Sequence, residues 1–349
     1  MVNLTIDGQP VSVPVGTSIL EAAGSIGIDI PNFCYDKDLT VAGACRMCVV
    51  EVAGFRSLPP ACATTAAEGM VVQTESEQVV EARRMLLDLL LANHPQDCMI
   101  CEKTGDCRLQ DYCYRYGVKR SSFHGERKQY DIDSQNHLIE RDQNKCILCG
   151  KCVRVCQEVQ VTAAVDFVGR GFDTTVTVPF DDPLSLDYCR FCGQCIGVCP
   201  TGALVNKQLK GTRPWEVKKV RTTCPFCGTG CNFDLNVKDG KIVGVTANPE
   251  APVNGRSLCV KGRFHSDLIY SPDRITQPMI KKNGEFVEAT WDEALNLVAA
   301  KFKEIKEQDG ADAIAALSSA RCVNEDNWVM QKFMRAVIGT NNVDHCART

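Results

Sequence analysis

Twenty-two cysteines stand in 349 residues, and most fall into sets with regular spacing. Cys34, Cys45, Cys48 and Cys62 read C-x10-C-x2-C-x13-C, and His94, Cys98, Cys101 and Cys107 read H-x3-C-x2-C-x5-C. Cys146, Cys149, Cys152 and Cys156 form a C-x2-C-x2-C-x3-C run, repeated at Cys189, Cys192, Cys195 and Cys199. Cys224, Cys227, Cys231 and Cys259 read C-x2-C-x3-C-x27-C. Thiolates at such loop spacings are ligands for iron–sulfur clusters or zinc, and an imidazole in register with three of them joins the set.

A disulfide framework is the competing use of cysteine, and it belongs to short secreted chains. This N-terminus alternates apolar and polar residues, with no apolar core of a signal peptide and no twin-arginine start; Arg83 and Arg84 lie far inside. The sequence therefore predicts a reducing, cytoplasmic setting. No apolar run reaches the ~18 residues of a membrane span. A net charge of -4 offers no basic stripe, so neither nucleic acid nor an anionic membrane is an expected partner. With 44% hydrophobic residues the chain can build two or three cores.

Elements that position these sets are legible. Leu4–Ile6 and Val11–Val15 alternate around Asp7-Gly8 as an opening hairpin, and Ser18 with Glu21 has capping-box spacing before a helix faced by Ile19, Leu20, Ala22, Ala23 and Ile26. Val79, Val80, Ala82, Met85, Leu86, Leu89 and Leu90 predict a helix whose apolar face is core and whose end delivers His94. Residues 121–136 read as a polar linker with some strand character, and a hairpin is expected between the two ferredoxin-type runs. Past Lys210, Gly211–Trp215 reads as a boundary. Leu235–Val237 and Ile242–Val245 flank Asp239-Gly240 as a hairpin, and Thr290 with Glu293 caps a helix to about Glu307. Ala313–Leu317 predicts a buried strand, followed by a polar loop and a helix over 324–338. Helix N-termini after strands suit cofactor phosphates.

The first set departs from the plant-type [2Fe–2S] scheme only in its longer first loop. Gly43, Ala44 and Arg46 let the chain wrap closely and donate N–H groups to sulfur. This stretch resembles the N-terminal [2Fe–2S] domain shared by the large iron–sulfur subunit of complex I, [FeFe] hydrogenases and NAD-linked formate dehydrogenases. The His94 set resembles the [4Fe–4S] site with one histidine and three cysteines in the same families; Cys113 falls outside it as a buried free thiol. Paired C-x2-C-x2-C-x3-C runs are the bacterial two-cluster ferredoxin pattern, in which the fourth cysteine serves the other cluster. Cys146, Cys149, Cys152 and Cys199 are thus expected at one [4Fe–4S] cluster, and Cys189, Cys192, Cys195 and Cys156 at the other.

Cys224-Pro-Phe-Cys-Gly-Thr-Gly-Cys231 with Cys259 resembles the [4Fe–4S] domain of molybdenum or tungsten bis-pyranopterin enzymes, in the version found in formate dehydrogenases. The resemblance places Lys261 between cluster and pterin as an electron-path residue, and Arg321 and Cys322 beside the pterin. Residues 339–349 resemble the segment immediately before the metal-binding selenocysteine or cysteine of formate dehydrogenases. That implies the N-terminal part of a cytoplasmic selenocysteine-type, NAD(P)-linked formate dehydrogenase, ended at a UGA codon; a true terminus at Thr349 is the alternative. No catalytic residue then lies within the chain, which alone is expected to be inactive.

The fold class expected is α+β multidomain. It begins with a β-grasp [2Fe–2S] ferredoxin domain over 1–77 and a helical [4Fe–4S] domain with one His and three Cys ligands over 78–118. A 2[4Fe–4S] ferredoxin domain follows over 138–210, then a [4Fe–4S] molybdopterin-oxidoreductase domain over 217–272 and the beginning of the α/β bis-pyranopterin domain over 273–349. The expected cofactors are one [2Fe–2S] and four [4Fe–4S] clusters, with a molybdenum or tungsten bis-pyranopterin guanine dinucleotide in the full-length enzyme. Expected partners are a flavin and NAD(P)-binding iron–sulfur subunit or a hydrogenase or ferredoxin partner. The alternatives are a stand-alone, complex I-like electron-transfer subunit and an [FeFe] hydrogenase N-terminal module; the Cys224–Cys259 motif argues against the latter.

Overall fold

Asp7 and Gly8 sit at φ 48° and 80°, the left-handed pair that a two-residue type I′ turn requires, and they join β1 (Val2–Ile6) to β2 (Gln9–Val13). The computed structural model describes residues 1–346. The Ser18–Glu21 capping box forms and starts α1 (Ile19–Ser25). With β3 (Glu51–Val52) and β4 (Val71–Gln73) the hairpin builds a sheet ordered β2-β1-β4-β3, in which β1 and β4 run parallel. Leu4, Ile6, Val11 and Val13 point to one face, where they bury Ile19, Ala22, Ala23 and two of the motif cysteines, Cys48 and Cys62.

Next come α2 (Glu77–Asn93), which ends on His94 as its C-cap, and α3 (Arg108–Tyr116), which starts from Cys107 as its N-cap. The buried face of α2 differs from the expected one: Val79, Leu87 and Leu91 are buried, while Met85 and Leu89 are 47% and 51% exposed. Arg83 occupies the core because four polar partners surround its guanidinium. It donates to the carbonyls of Met47 (3.2 Å) and Val49 (2.9 Å), to Glu75 Oε1 (2.9 Å) and to Tyr116 Oη (2.8 Å). A fully satisfied cation can replace an apolar residue in the interior. Residues 121–136 contain no strand; one isolated bridge, Asp133 to Arg141, is all the β-structure the linker makes.

Beyond the linker, β5 (Ile139–Arg141) pairs antiparallel with β8 (Leu204–Asn206) and brackets α4 (Lys151–Arg154), the expected hairpin β6 (Asp166–Val168) and β7 (Thr175–Thr177), and α5 (Gln194–Val198). The two cysteine runs share one backbone pattern. Leu148 and Phe191 each take a positive φ two residues after the first cysteine, and Gly150 and Gly193, both at φ 69°, start the two helices.

The chain divides after Lys218, close to the expected boundary, into units 1–218 and 219–349. The second unit carries a sheet ordered β11-β10-β9 from β9 (Lys218–Thr223), β10 (Asn232–Lys238) and β11 (Lys241–Ala247), with the Asp239-Gly240 turn as expected. It continues through α6 (Val260–Phe264), the hairpin β12 (Met279–Lys282) and β13 (Glu285–Glu288), and α7 (Trp291–Asp309), capped by Thr290 and Glu293. A short parallel pair, β14 (Ala316–Ser318) with β15 (Val343–His345), flanks α8 (Asn324–Phe333). The strand expected over Ala313–Leu317 is shorter and not buried: Ala311–Ala313 is a 3-10 turn and Leu317 is 83% exposed. Among the described residues only one strand pairs with β14, and Leu317 turns away from the core of Ile314, Met334 and Ile338. Thr349, the residue at which termination was expected, lies outside the described residues.

Candidate metal centres

Among the described residues all 22 cysteines are free of disulfides. Their surroundings differ from set to set.

In the first set the four sulfurs interact with one another. Hydrogen bonds from Cys45 and Cys62 hold the Cys34 thiol far below its ordinary range, and the same contacts push Cys45 and Cys62 up. A hydrogen bond from Cys62 lowers Cys48 to about 7. Backbone N–H groups also aim at sulfur: those of Ala44 and Cys45 at Cys34, and that of Phe33 at Cys45 over 3.4 Å. Gly43 and Arg46, at φ 62° and 57°, make the loop turn back on itself. Arg83 grips the carbonyls on either side of Cys48 from the α2 side.

His94, Cys98, Cys101 and Cys107 come from the end of α2, the loop after it and the start of α3. Burial holds the His94 imidazole down to about 4, so it is neutral, and its buried Nδ1 has no hydrogen-bond partner among the described residues. A neutral ring with an orphaned nitrogen is what a metal ligand presents before the metal arrives. Burial pushes Cys107 up to about 11 and Cys113, on α3, up to about 12; Cys113, expected to be a buried free thiol, is half-buried. Lys145 lies alongside, paired with Asp97 (3.3 Å) and Asp142 (3.1 Å), its side chain 13% exposed.

All eight cysteines of the paired runs line one cavity of about 60 Å³, walled otherwise by residues such as Ile147, Val176, Leu184 and Ala203. Burial pushes Cys146 up to about 11, Cys149 up to about 12 and Cys152 well above its ordinary value. Cysteines of the two runs also act on one another: Cys199 on Cys146, Cys149 and Cys152, Cys195 on Cys152, and Cys156 on Cys189. The left-handed Leu148 and Phe191 donate backbone N–H to Cys146 Sγ (3.4 Å) and Cys189 Sγ (3.3 Å), and Ala164 donates to Cys156 Sγ (3.2 Å). A left-handed non-glycine residue costs roughly 1–2 kcal/mol. Two such residues at matching positions form a cradle of donors turned toward sulfur.

In the second unit Cys224, Cys227 and Cys231 share the loop between β9 and β10, and Cys259 caps α6. Cys224 feels the charges of the other three, and its N–H bonds the Cys231 carbonyl over 2.7 Å. Here one thiol is lowered instead: Thr229 hydrogen-bonds Cys227 at 3.2 Å, and the Lys261 ammonium adds to the effect. Arg321 and Cys322 lie in the loop between β14 and α8, which Asn324 ties to the cysteine loop through the Gly228 carbonyl (2.8 Å).

Among the described residues no group of three or more His, Cys, Asp and Glu side chains is arranged to hold a metal ion. A tetrahedral zinc site needs thiolates ~3.8 Å apart, from Zn–S bonds of ~2.3 Å. Eight cysteines around one largely apolar cavity with backbone donors turned onto sulfur, and separately the orphaned His94 imidazole among three cysteines, fit polynuclear iron–sulfide cores.

Several residues that touch these sets were not anticipated. Arg154, between Cys152 and Cys156, donates to the Cys34 carbonyl (2.5 Å) and to that of Thr40. Lys151, between Cys149 and Cys152, pairs with buried Asp36 at 3.8 Å. Basic residues inside a cysteine run were the available signal. Gly202 and Lys145 gave none.

Family models match along the chain: a 2Fe-2S iron-sulfur cluster binding domain over 1–77, an NADH-ubiquinone oxidoreductase-G iron-sulfur binding region over 83–122, and the ferredoxin-like domain of NADH-quinone oxidoreductase subunit 3 over 136–205. A molybdopterin oxidoreductase Fe4S4 domain matches 217–271, and a molybdopterin oxidoreductase model 274–349. The NADPH-Fe(3+) oxidoreductase subunit alpha of Geobacter sulfurreducens is 40% identical over 349 residues, 100% of this chain and 40% of that protein. An NADH-quinone oxidoreductase subunit of Rhizobium meliloti, of the type designated G 2, is 42% identical, again over 100% of this chain and 40% of its own length. A Staphylococcus aureus protein provisionally named formate dehydrogenase is 33% identical over 99% of the chain and 39% of that protein. A solved chain of an NAD+-reducing [NiFe]-hydrogenase superposes with a TM-score of 0.55 at 33% identity, covering 61% of this chain and 90% of that one. The chain thus spans about 40% of the length of its Geobacter, Rhizobium and Staphylococcus relatives.

Fold, site and matches define an iron–sulfur electron-transfer module with [2Fe–2S] and [4Fe–4S] domains and the start of a molybdopterin domain. Residues 217–271 and 274–349 match molybdopterin oxidoreductase models, and the chain as a whole is similar to about 40% of the length of the Rhizobium and Staphylococcus relatives.

Proposed function

We propose that this chain is the electron-transfer portion of a formate dehydrogenase, in which formate is oxidised to carbon dioxide, or the reverse, at a molybdenum or tungsten bis-pyranopterin guanine dinucleotide. Five ligand sets serve five clusters: Cys34, Cys45, Cys48 and Cys62 for one [2Fe–2S], and His94 with Cys98, Cys101 and Cys107, the two crossed ferredoxin sets, and the Cys224 set for four [4Fe–4S]. The observation that carries this is the single cavity lined by eight cysteines, with Cys199 acting on the first run and Cys156 on the second. Loaded, each set supplies a one-electron redox centre.

The chain's own residues do the rest. Leu148, Phe191 and Ala164 hold thiolates by N–H donation, and the apolar walls of the cavity exclude water. Lys261 lies close enough to Cys227 to lower its thiol, in keeping with a role on the path to the pterin, and Arg321 and Cys322 are candidate pterin contacts. The domain boundaries are those drawn from the sequence. A flavin and NAD(P)-binding iron–sulfur subunit, or a hydrogenase or ferredoxin partner, takes the electrons, in a cytoplasmic complex. Among the described residues no helix is long and apolar enough to cross a membrane.

The formate reading rests on the Cys224–Cys231 motif and on the Staphylococcus aureus relative. The names of the Geobacter and Rhizobium relatives favour a second reading, transfer of electrons from NAD(P)H without formate chemistry. Metal analysis and a formate-to-viologen assay on the full-length gene product separate the two. The first reading expects molybdenum or tungsten and formate turnover. NAD(P)H-dependent dye reduction without formate turnover supports the second.

A further inference from the structure

Two ligand sets far apart in sequence meet at one seam. Gly202 follows the last cysteine of the second run by three residues, and a Cβ added there would stand 2.9 Å from Cys101 Sγ, 3.3 Å from Lys145 Cδ and 3.4 Å from Lys103 Cβ. Its φ is not in the left-handed region, so backbone freedom does not explain the glycine. Space does: only a residue without a side chain lets the chain after Cys199 lie against the Cys101 sulfur. Beside it, the N–H of Arg108 donates to the Pro200 carbonyl at 3.0 Å. Arg108 is bonded to Cys107 and Pro200 to Cys199, so one hydrogen bond joins the backbones of a cysteine from each set. Thr201 Oγ1 closes the seam by donating to the Lys145 carbonyl at 2.8 Å, one residue before Cys146.

We propose that this seam, with Gly202 against Cys101 Sγ and the Arg108–Pro200 hydrogen bond between Cys107 and Cys199, is the electron bridge between the His94 cluster and the Cys146/Cys149/Cys152/Cys199 cluster. It rests on the ligand sets proposed above. In each passage one cluster loses one electron and the other gains it; no bond forms or breaks and no proton moves. Gly202 acts as a positioning residue. The hydrogen bond supplies a short covalent and hydrogen-bonded link between the two sets, and burial of Cys101 and Cys107 keeps water out of it.

Arg108 offers a clean test because it is the first residue of α3, where the N–H has no acceptor within the helix and proline is tolerated. Cys107 before it is extended, at φ -120° and ψ 111°, as a residue preceding proline should be. Arg108→Pro therefore deletes the donor, whereas Arg108→Ala keeps the donor and loses only the side-chain contacts with Asn32. The experiment uses the full-length holoenzyme with Arg108→Pro, Arg108→Ala and Gly202→Ala, each reduced with dithionite. It reads iron and acid-labile sulfide per chain, the magnetic interaction between the two reduced clusters by electron paramagnetic resonance, and the rate of electron exchange between them by pulse radiolysis.

The expected result is unchanged iron and sulfide in all three. Arg108→Pro and Gly202→Ala weaken the magnetic interaction and slow exchange severalfold, while Arg108→Ala matches the parent. Should Gly202→Ala lose iron, the Arg108 pair decides alone. Equal exchange in Arg108→Pro and Arg108→Ala overturns the proposal, and so does loss of iron in Arg108→Pro, which would assign the seam to assembly. Absence of the two clusters from the parent protein would instead defeat the ligand assignment itself.

Discussion

The paired-run cavity and the Cys224 loop hold four-cysteine sets of the same chemistry in opposite surroundings. In the cavity, burial raises Cys146, Cys149 and Cys152, and strained backbone residues turn their N–H groups onto sulfur. In the loop, Cys259 is exposed and Cys227 is lowered by the Thr229 hydroxyl, with help from Lys261. A dry, enclosed thiol is costly to ionise without a metal, so the cavity commits its cysteines to a cluster. The loop instead eases ionisation of one thiol beside an exposed cysteine, which suits the end of a relay better than its middle.

Cluster loss is the largest effect that separates the two regions. Cys149→Ser is expected to remove about four irons per chain and to lower the melting temperature of the first unit. Cys259→Ser removes a similar amount and leaves that melting transition where it was. Iron analysis with calorimetry reads both; equal thermal effects would break the contrast.

Arg83 sharpens it within the first unit. Arg83→Met removes a fully buried guanidinium with its four hydrogen bonds and takes that donor from the Met47 and Val49 carbonyls, while Glu75 keeps Arg115 and Tyr116; the change is expected to cost about 3 kcal/mol in denaturant unfolding. Lys261→Ala, at an exposed position, should change stability by less than ~0.5 kcal/mol.

Titration distinguishes the metal-free protein from the loaded one. Cys146 and Cys149 are raised to about 11 and about 12 in the fold, so between pH ~9 and those values the folded chain holds protons that the unfolded chain has lost. Stability of the metal-free first unit is thus present below pH ~9 and lost above it. His94 is lowered to about 4, so the unfolded chain binds the extra proton between pH ~6.5 and 4 and stability falls on acidification through that window. With clusters bound the ligands have no proton to exchange and both slopes flatten, which unfolding curves across pH will read.

A further expected effect is electrostatic. Lys145→Met removes a partly buried cation beside Cys101 and His94, and the His94 cluster should become harder to reduce by about 59 mV, tenfold for one electron. The Cys224 cluster should not move. Redox titration followed by electron paramagnetic resonance checks both.

Sequence carried the local features well. Asp7-Gly8 and Asp239-Gly240 turned their hairpins because two left-handed residues are needed at fixed places, and both capping boxes formed because they are contacts three residues long. Contacts between distant segments stayed hidden. Arg83 interrupts an apolar helix face for partners on three other segments, Arg154 reaches a carbonyl 120 residues away, and Gly202 matters only because Cys101 arrives beside it. Leu317 misled for a related reason: an apolar run reads as a buried strand whether or not a neighbouring layer is there to cover it.

Whether these cysteines hold a relay of clusters is read without intermediary by metal stoichiometry. Anaerobically purified protein is predicted to contain about 18 irons and about 18 acid-labile sulfides per chain, with reduced-state resonances from both cluster types. Zinc in place of iron, or iron without labile sulfide, would contradict the relay.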